Sequence, residues 1–94
     1  MKYEWDEIKN IKNQLKHGVS FEEAREVFDD PFTLSKLDER FNYFEERWIN
    51  IGLSSKYKLL VVANLFFTEE GDEIIRIISA RKATKNERNN YEKQ

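Results

Sequence analysis

The sequence predicts an α+β fold with two N-terminal helices, a four-stranded antiparallel sheet arranged as a meander, and a basic C-terminal helix. Three observations predict it. Apolar residues recur at helical spacing between capping signals as far as Pro31, alternation of period two takes over at Phe32, and a capping box at Thr84 and Glu87 opens a charged tail. Ninety-four residues are one domain's worth of chain, so residues 1–94 are read as a single domain.

The first helix starts after Asp6, a good N-cap, and carries Ile8, Ile11 and Leu15 on one apolar face. Gly18 is placed to end it in a left-handed turn. Ser20 and Glu23 form the Ser-x-x-Glu pattern of a second N-terminus, with Val19 before the cap able to pack on Ala24. That short helix runs through Val27 and Phe28 and cannot continue past Pro31. Four strands are expected at Phe32 to Leu37, Arg47 to Ile51, Lys58 to Phe67 and Glu73 to Ala80. The third is the longest and most apolar, which places it centrally. Gly52 with Ser54 and Ser55, and Glu70-Gly71-Asp72, supply the turns, and such short links favour antiparallel neighbours.

Composition removes several classes of function. Hydrophobic residues make up 39% and aromatics 14%, too apolar for a disordered chain. With no cysteine there are no disulfides, thiolate metal sites or cysteine nucleophiles. The single histidine leaves only carboxylates as further metal ligands, and their spacing specifies no cation cage, so neither metal nor cofactor is expected. The first ten residues mix charged and apolar types instead of forming a secretion signal, and the longest apolar run, Leu59 to Ala63, is too short to span a bilayer. A cytoplasmic protein without membrane contact is expected.

Net charge is −2, but its distribution matters more. Residues 19–46 hold three Lys/Arg against nine Asp/Glu, whereas residues 81–94 hold five against two. One face can therefore attract phosphate while another repels it. Four places stand out chemically. Lys16 and His17 precede Gly18, where a helix C-terminus favours cations and capping explains both; the alternative is that they handle protons or touch a phosphate. Arg76 interrupts an Ile-rich run expected to be buried, and a buried arginine must either pair with a carboxylate or line a cleft. Arg81 follows five residues later, so strict alternation sends the two arginines to opposite faces unless a bulge or twist lies near Ser79 or Arg81 acts after the strand ends. Arg88 and Tyr91 lie one helical turn apart in the tail.

Taken in order, these segments resemble the BrnT family of toxins. The opening, from Trp5 and Asp6 through Lys9, Asn13 and Lys16 to Ala24 and on to Asp30-Pro31, is similar to the start of that family. Glu46 and Arg47 with Ile51, Gly52 and Ser54 resemble its middle, and Ile75 to Thr84 with Glu87, Arg88, Tyr91 and Glu92 resemble its end. The resemblance implies a metal-independent endoribonuclease of RelE-like fold, the toxin of a type II toxin–antitoxin system, which arrests growth by cutting RNA. It implies a BrnA-like antitoxin partner with a ribbon-helix-helix part, in a two-plus-two complex. Operator DNA would be reached only through that antitoxin. Arg76 and Arg81 would stabilise charge on phosphorus, Lys16 or His17 would move protons, and Arg47, Arg88 and Tyr91 would bind substrate. The antitoxin would cover the same basic surface. The competing reading is a non-catalytic module whose basic end docks RNA or an acidic protein.

Overall fold

A mixed five-stranded sheet in the order β1-β5-β4-β3-β2 carries the fold. The strands are β1 (Lys2–Glu4), β2 (Leu34–Leu37), β3 (Glu46–Leu53), β4 (Leu59–Glu69) and β5 (Asp72–Lys82). The helices are α1 (Glu7–His17), α2 (Phe21–Arg25), which continues as a 3-10 turn over Glu26–Asp29, and α3 (Lys85–Glu92). These come from a computed structural model of the chain, which describes residues 1–41 and 46–94.

The antiparallel meander β2-β3-β4-β5 follows the expected strands, with β4 at its centre. The expectation of a four-stranded, wholly antiparallel sheet is corrected by β1, which pairs with β5 in parallel, Tyr3 opposite Ile75. Three residues are too few for a period to register, and the partner lies some seventy positions away in sequence. Aromatic packing holds β1 in place: Tyr3 meets Phe28 with ring centroids 5.5 Å apart, and the Arg25 guanidinium lies 4.1 Å above the Tyr3 ring.

The turns form as their residues dictate. Asp6 caps α1 by accepting from the amides of Ile8 and Lys9. Gly18, at φ 70°, closes it. Glu70 and Gly71 both take positive φ in the tight β4–β5 hairpin, as a two-residue connection between right-twisted strands requires.

One face of the sheet packs the core. Val19, Phe21, Ala24 and Val27 from the α2 region meet Leu60 and Val62 of β4 and Ile75, Ile77 and Ala80 of β5. The first helix contributes differently from expectation. Ile8, Ile11 and Leu15 are 65%, 54% and 85% exposed, while Asn10 and Asn13 are buried. The amides are what the fold needs at that place. Beyond Glu4 the strand β1 ends, and Asn13 takes over the open edge of β5, donating to the Ala80 carbonyl at 2.8 Å and accepting from its amide at 3.2 Å. Asn10 accepts from the first amide of α2, that of Phe21, at 2.8 Å. Buried backbone groups must be paired, and here helix side chains pair them.

Candidate active site

A bulge decides what stands on the second face of the sheet, whose central residues Leu59, Val61 and Ala63 are themselves buried. Arg76 to Arg81 takes five residue steps on β5, matched by only four on β4, from Leu65 to Val61. The register shifts between Ala63, opposite Ser79, and Asn64, opposite Ile77, so Ile78 is the extra residue. An extra residue reverses the alternation beyond it. Arg76 and Arg81 therefore share a face, the one opposite the buried Ile75, Ile77 and Ala80.

Arg47 joins them. It pairs with Leu65, which pairs in turn with Arg76, which pairs with Glu4, so these four residues form one row across the sheet. With strands about 4.8 Å apart, the Cα atoms of Arg47 and Arg76 are separated by about 10 Å. Arg81 stands about 14 Å further along the strand, four residues at about 3.4 Å each. Between them lie Ile49, Ile51, Val61, Ala63 and Leu65, an apolar floor low in relief at Ala63. Among the described residues, the strand row between the arginines, Lys36, Ile49, Ala63 and Ser79, carries no carboxylate.

Each arginine is oriented by a carboxylate. Arg76 Nε lies 2.9 Å from Glu4 Oε2, and its side chain is 51% exposed. The expectation of burial is thereby corrected, because only one face of the Ile-rich strand meets the core, while the expected carboxylate partner is present. Arg47 Nε approaches Asp38 Oδ2 at 3.7 Å. The carboxyl of Asp38 is held below its usual range chiefly by its hydrogen bonds from Arg40. Arg81 grips Glu87 with both terminal nitrogens, at 2.8 and 2.9 Å. This bidentate bond holds the Glu87 carboxyl down at about 2 and raises Arg81 in turn. Glu87 also accepts from the Thr84 amide at 2.8 Å, so the residue that caps α3 fixes Arg81 as well.

The start of α1 flanks this face. A cleft of about 120 Å³ is lined by Asp6, Lys9, Leu65, Arg76, Ile77 and Ile78. In the sequence Lys9 belongs to the family-like opening but has no assigned role; its place beside Arg76 comes from the docking of α1 on β5. Lys16 is exposed and lies seven residues on, two turns along the same flank. His17 is half-buried, rotated by about 100° around the helix axis towards the Asn10 and Asn13 side. Adjacent helical residues cannot face the same way, so the fold separates these two candidates.

The C-terminal helix divides its candidates similarly. Tyr91 is half-buried and its hydroxyl donates to Asp30 Oδ2 at 2.6 Å, which pushes the phenol up to about 12. Arg88 is exposed. The structure thus gathers Arg47, Arg76 and Arg81 on one face with Lys9 and Lys16 along its flank. His17, Arg88 and Tyr91 stand outside that group.

Comparison with known proteins gives the family and the fold. The family model described as ribonuclease toxin, BrnT, of type II toxin–antitoxin system matches residues 5–87. The crystal structure of the Brucella abortus ribonuclease toxin, BrnT, superposes with a TM-score of 0.59 at 25% identity, covering 90% of this chain and 99% of that one. No curated protein matches the chain.

Proposed function

We propose that this chain, which belongs to the BrnT family of ribonuclease toxins of type II toxin–antitoxin systems, cuts RNA without a metal ion and uses the arginine-rimmed face of its sheet to do so. RNA carries its own nucleophile. The 2′-oxygen attacks the adjacent phosphorus and loses its proton, the bond from phosphorus to the 5′-oxygen breaks, and that oxygen takes up a proton. The catalyst has to align these atoms and stabilise the extra negative charge. Arg76 and Arg81 do the latter, because a planar guanidinium matches phosphate oxygens in the way a metal ion otherwise would. Arg47 binds a neighbouring phosphate, and Arg88 and Tyr91 are outer contacts for the rest of the strand. Lys16 and His17 are the candidates for proton transfer, Lys16 being the exposed one.

The observation that carries this reading is the bulge at Ile78, since without it the two arginines would stand on opposite faces. On this reading the chain is a single RelE-like domain working in the cytoplasm, where cleavage arrests growth. A BrnA-like ribbon-helix-helix antitoxin neutralises it in a two-plus-two complex and alone contacts operator DNA. Among the described residues no helix is long and apolar enough to cross a membrane.

The test is incubation of the purified chain with total RNA in EDTA. Cleavage should survive chelation and disappear in folded Arg76→Ala and Arg81→Ala variants. Both arginines already have carboxylate partners, and this favours the second reading, a non-catalytic module, to the extent that those bonds persist beside RNA. RNA left intact at high protein concentration would select it.

A further inference from the structure

The first helix is built the wrong way round for a helix that belongs only to its own domain. An amphipathic helix ordinarily turns its apolar stripe to the core. In α1 the buried side chains are Asn10 and Asn13, and Ile8, Ile11 and Leu15 point to solvent. They follow one another at i, i+3 and i+7, which makes a straight ridge two turns long. Six large apolar side chains are strongly exposed among the described residues, and three of them are these. Scattered exposed leucines are ordinary; a contiguous ridge marks an interaction surface. Lys9, Lys12 and Lys16, all exposed, run along one side of it.

We infer that α1 is the docking face for the antitoxin, and that the occupant is an amphipathic helix with an apolar stripe and Asp or Glu along the edge that meets Lys12 and its neighbours. Helix ridges pack into the grooves of another helix, and two turns of exposed ridge fit such a partner. Charge decides against an antiparallel second copy of this chain. An antiparallel pair of α1 helices would bring lysine flank against lysine flank, whereas an acidic flank is complementary. RNA fits the lysines but gains nothing from three aliphatic side chains. The inference rests on the toxin–antitoxin reading, and it moves the anchor of neutralisation from the arginine face to the helix beside it. A partner seated on α1 borders the cleft at Lys9 and Arg76, from which it can shield that face.

The experiment measures affinity between the full chain and the purified product of the neighbouring antitoxin reading frame. Leu15→Glu and Ile11→Glu should each weaken binding by about 100-fold, and Lys12→Glu by about 10-fold with a flatter salt dependence. RNA cleavage by the free Ile11 and Leu15 variants should be unchanged, since neither residue lies on the arginine face or its lysine flank. Should a glutamate variant fail to fold, Ile11→Ala with Leu15→Ala keeps a good helix former at both positions and should still lose at least 10-fold. Unaltered antitoxin affinity in folded variants overturns the proposal. So does a Leu15→Glu variant that loses RNA binding but keeps the antitoxin, or one that only splits a dimer of the free chain. A chain that binds its partner through α1 yet leaves RNA intact would remove the ribonuclease reading and keep this one.

Discussion

The Tyr91 hydroxyl and the Asp30 carboxylate, sixty-one residues apart, meet at 2.6 Å and join the C-terminal helix to the turn that closes the N-terminal layer. Asp30 also accepts from the amides of Phe32 at 2.9 Å and Leu53 at 2.8 Å. Burial raises its carboxyl, and the hydrogen bonds from Tyr91, Phe32 and Leu53 more than offset this, leaving it below its usual value. Tyr91→Phe should lower stability by about 1.5 kcal/mol, the worth of a hydrogen bond to a charged acceptor. Denaturant unfolding measures this, and RNA affinity measured alongside decides whether Tyr91 also binds substrate. Lost affinity at unchanged stability would mean that its ring, not its bond to Asp30, is what matters.

Stability should fall in acid through Glu87. Its carboxyl is lowered from 4.5 to about 2, so the bond to Arg81 contributes fully above the unfolded value and is lost as pH falls from about 4.5 towards 2. Arg81 is 43% exposed, and solvent screening therefore limits the contribution to about 1 kcal/mol. Thermal midpoints across that window should fall less in Glu87→Gln than in the unaltered chain. Equal slopes would show that the bridge is worth nothing in solution.

RNA binding should weaken steeply with salt, because each phosphate contact releases counterions. Arg76→Ala and Arg81→Ala should each reduce the slope by about one contact's worth. Arg47→Ala, in the same cross-strand row as Arg76, should do likewise. A slope unmoved by all three would locate RNA elsewhere on the molecule.

Inducing the chain alone should stop bacterial growth, and co-expressing the antitoxin should restore it. Normal growth with the folded chain present would count against the toxin mechanism proposed here, and Arg81→Ala should relieve arrest if cleavage causes it.

Gly52→Ala should destabilise the fold by about 2 kcal/mol, the usual cost of overpacking a tight contact. A Cβ at that position would lie 2.5 Å from Thr33 Oγ1 and 2.6 Å from Val27 Cγ1. Neither can easily retreat: Val27 is in the core, and Thr33 is held by its bond to the Val27 carbonyl at 2.7 Å. An unchanged unfolding midpoint would mean that β3 can shift from the turn without loss.

Much of this protein is written in local sequence. Asp6, Ser20 and Thr84 cap the helices they precede, Gly18 and Glu70-Gly71 turn the chain, and alternation marks β2 to β5, because each of these depends on residues within one or two turns of each other. The arginines are visible as residues, and a bulge near Ser79 is one of the ways for them to meet that the sequence leaves open, beside a twist there or an Arg81 acting past the strand end. Whether they met could not be read from β5 alone, since a bulge is a mismatch between two strands and only the register against β4 creates it. The same reason hid β1, whose partner is distant, and put Lys9 rather than His17 next to Arg76. Period showed that α1 has an apolar face but not which way it points. The tertiary structure decided that, because the edge of β5 beyond Glu4 needs hydrogen bonds that Asn13 can make and Ile11 cannot.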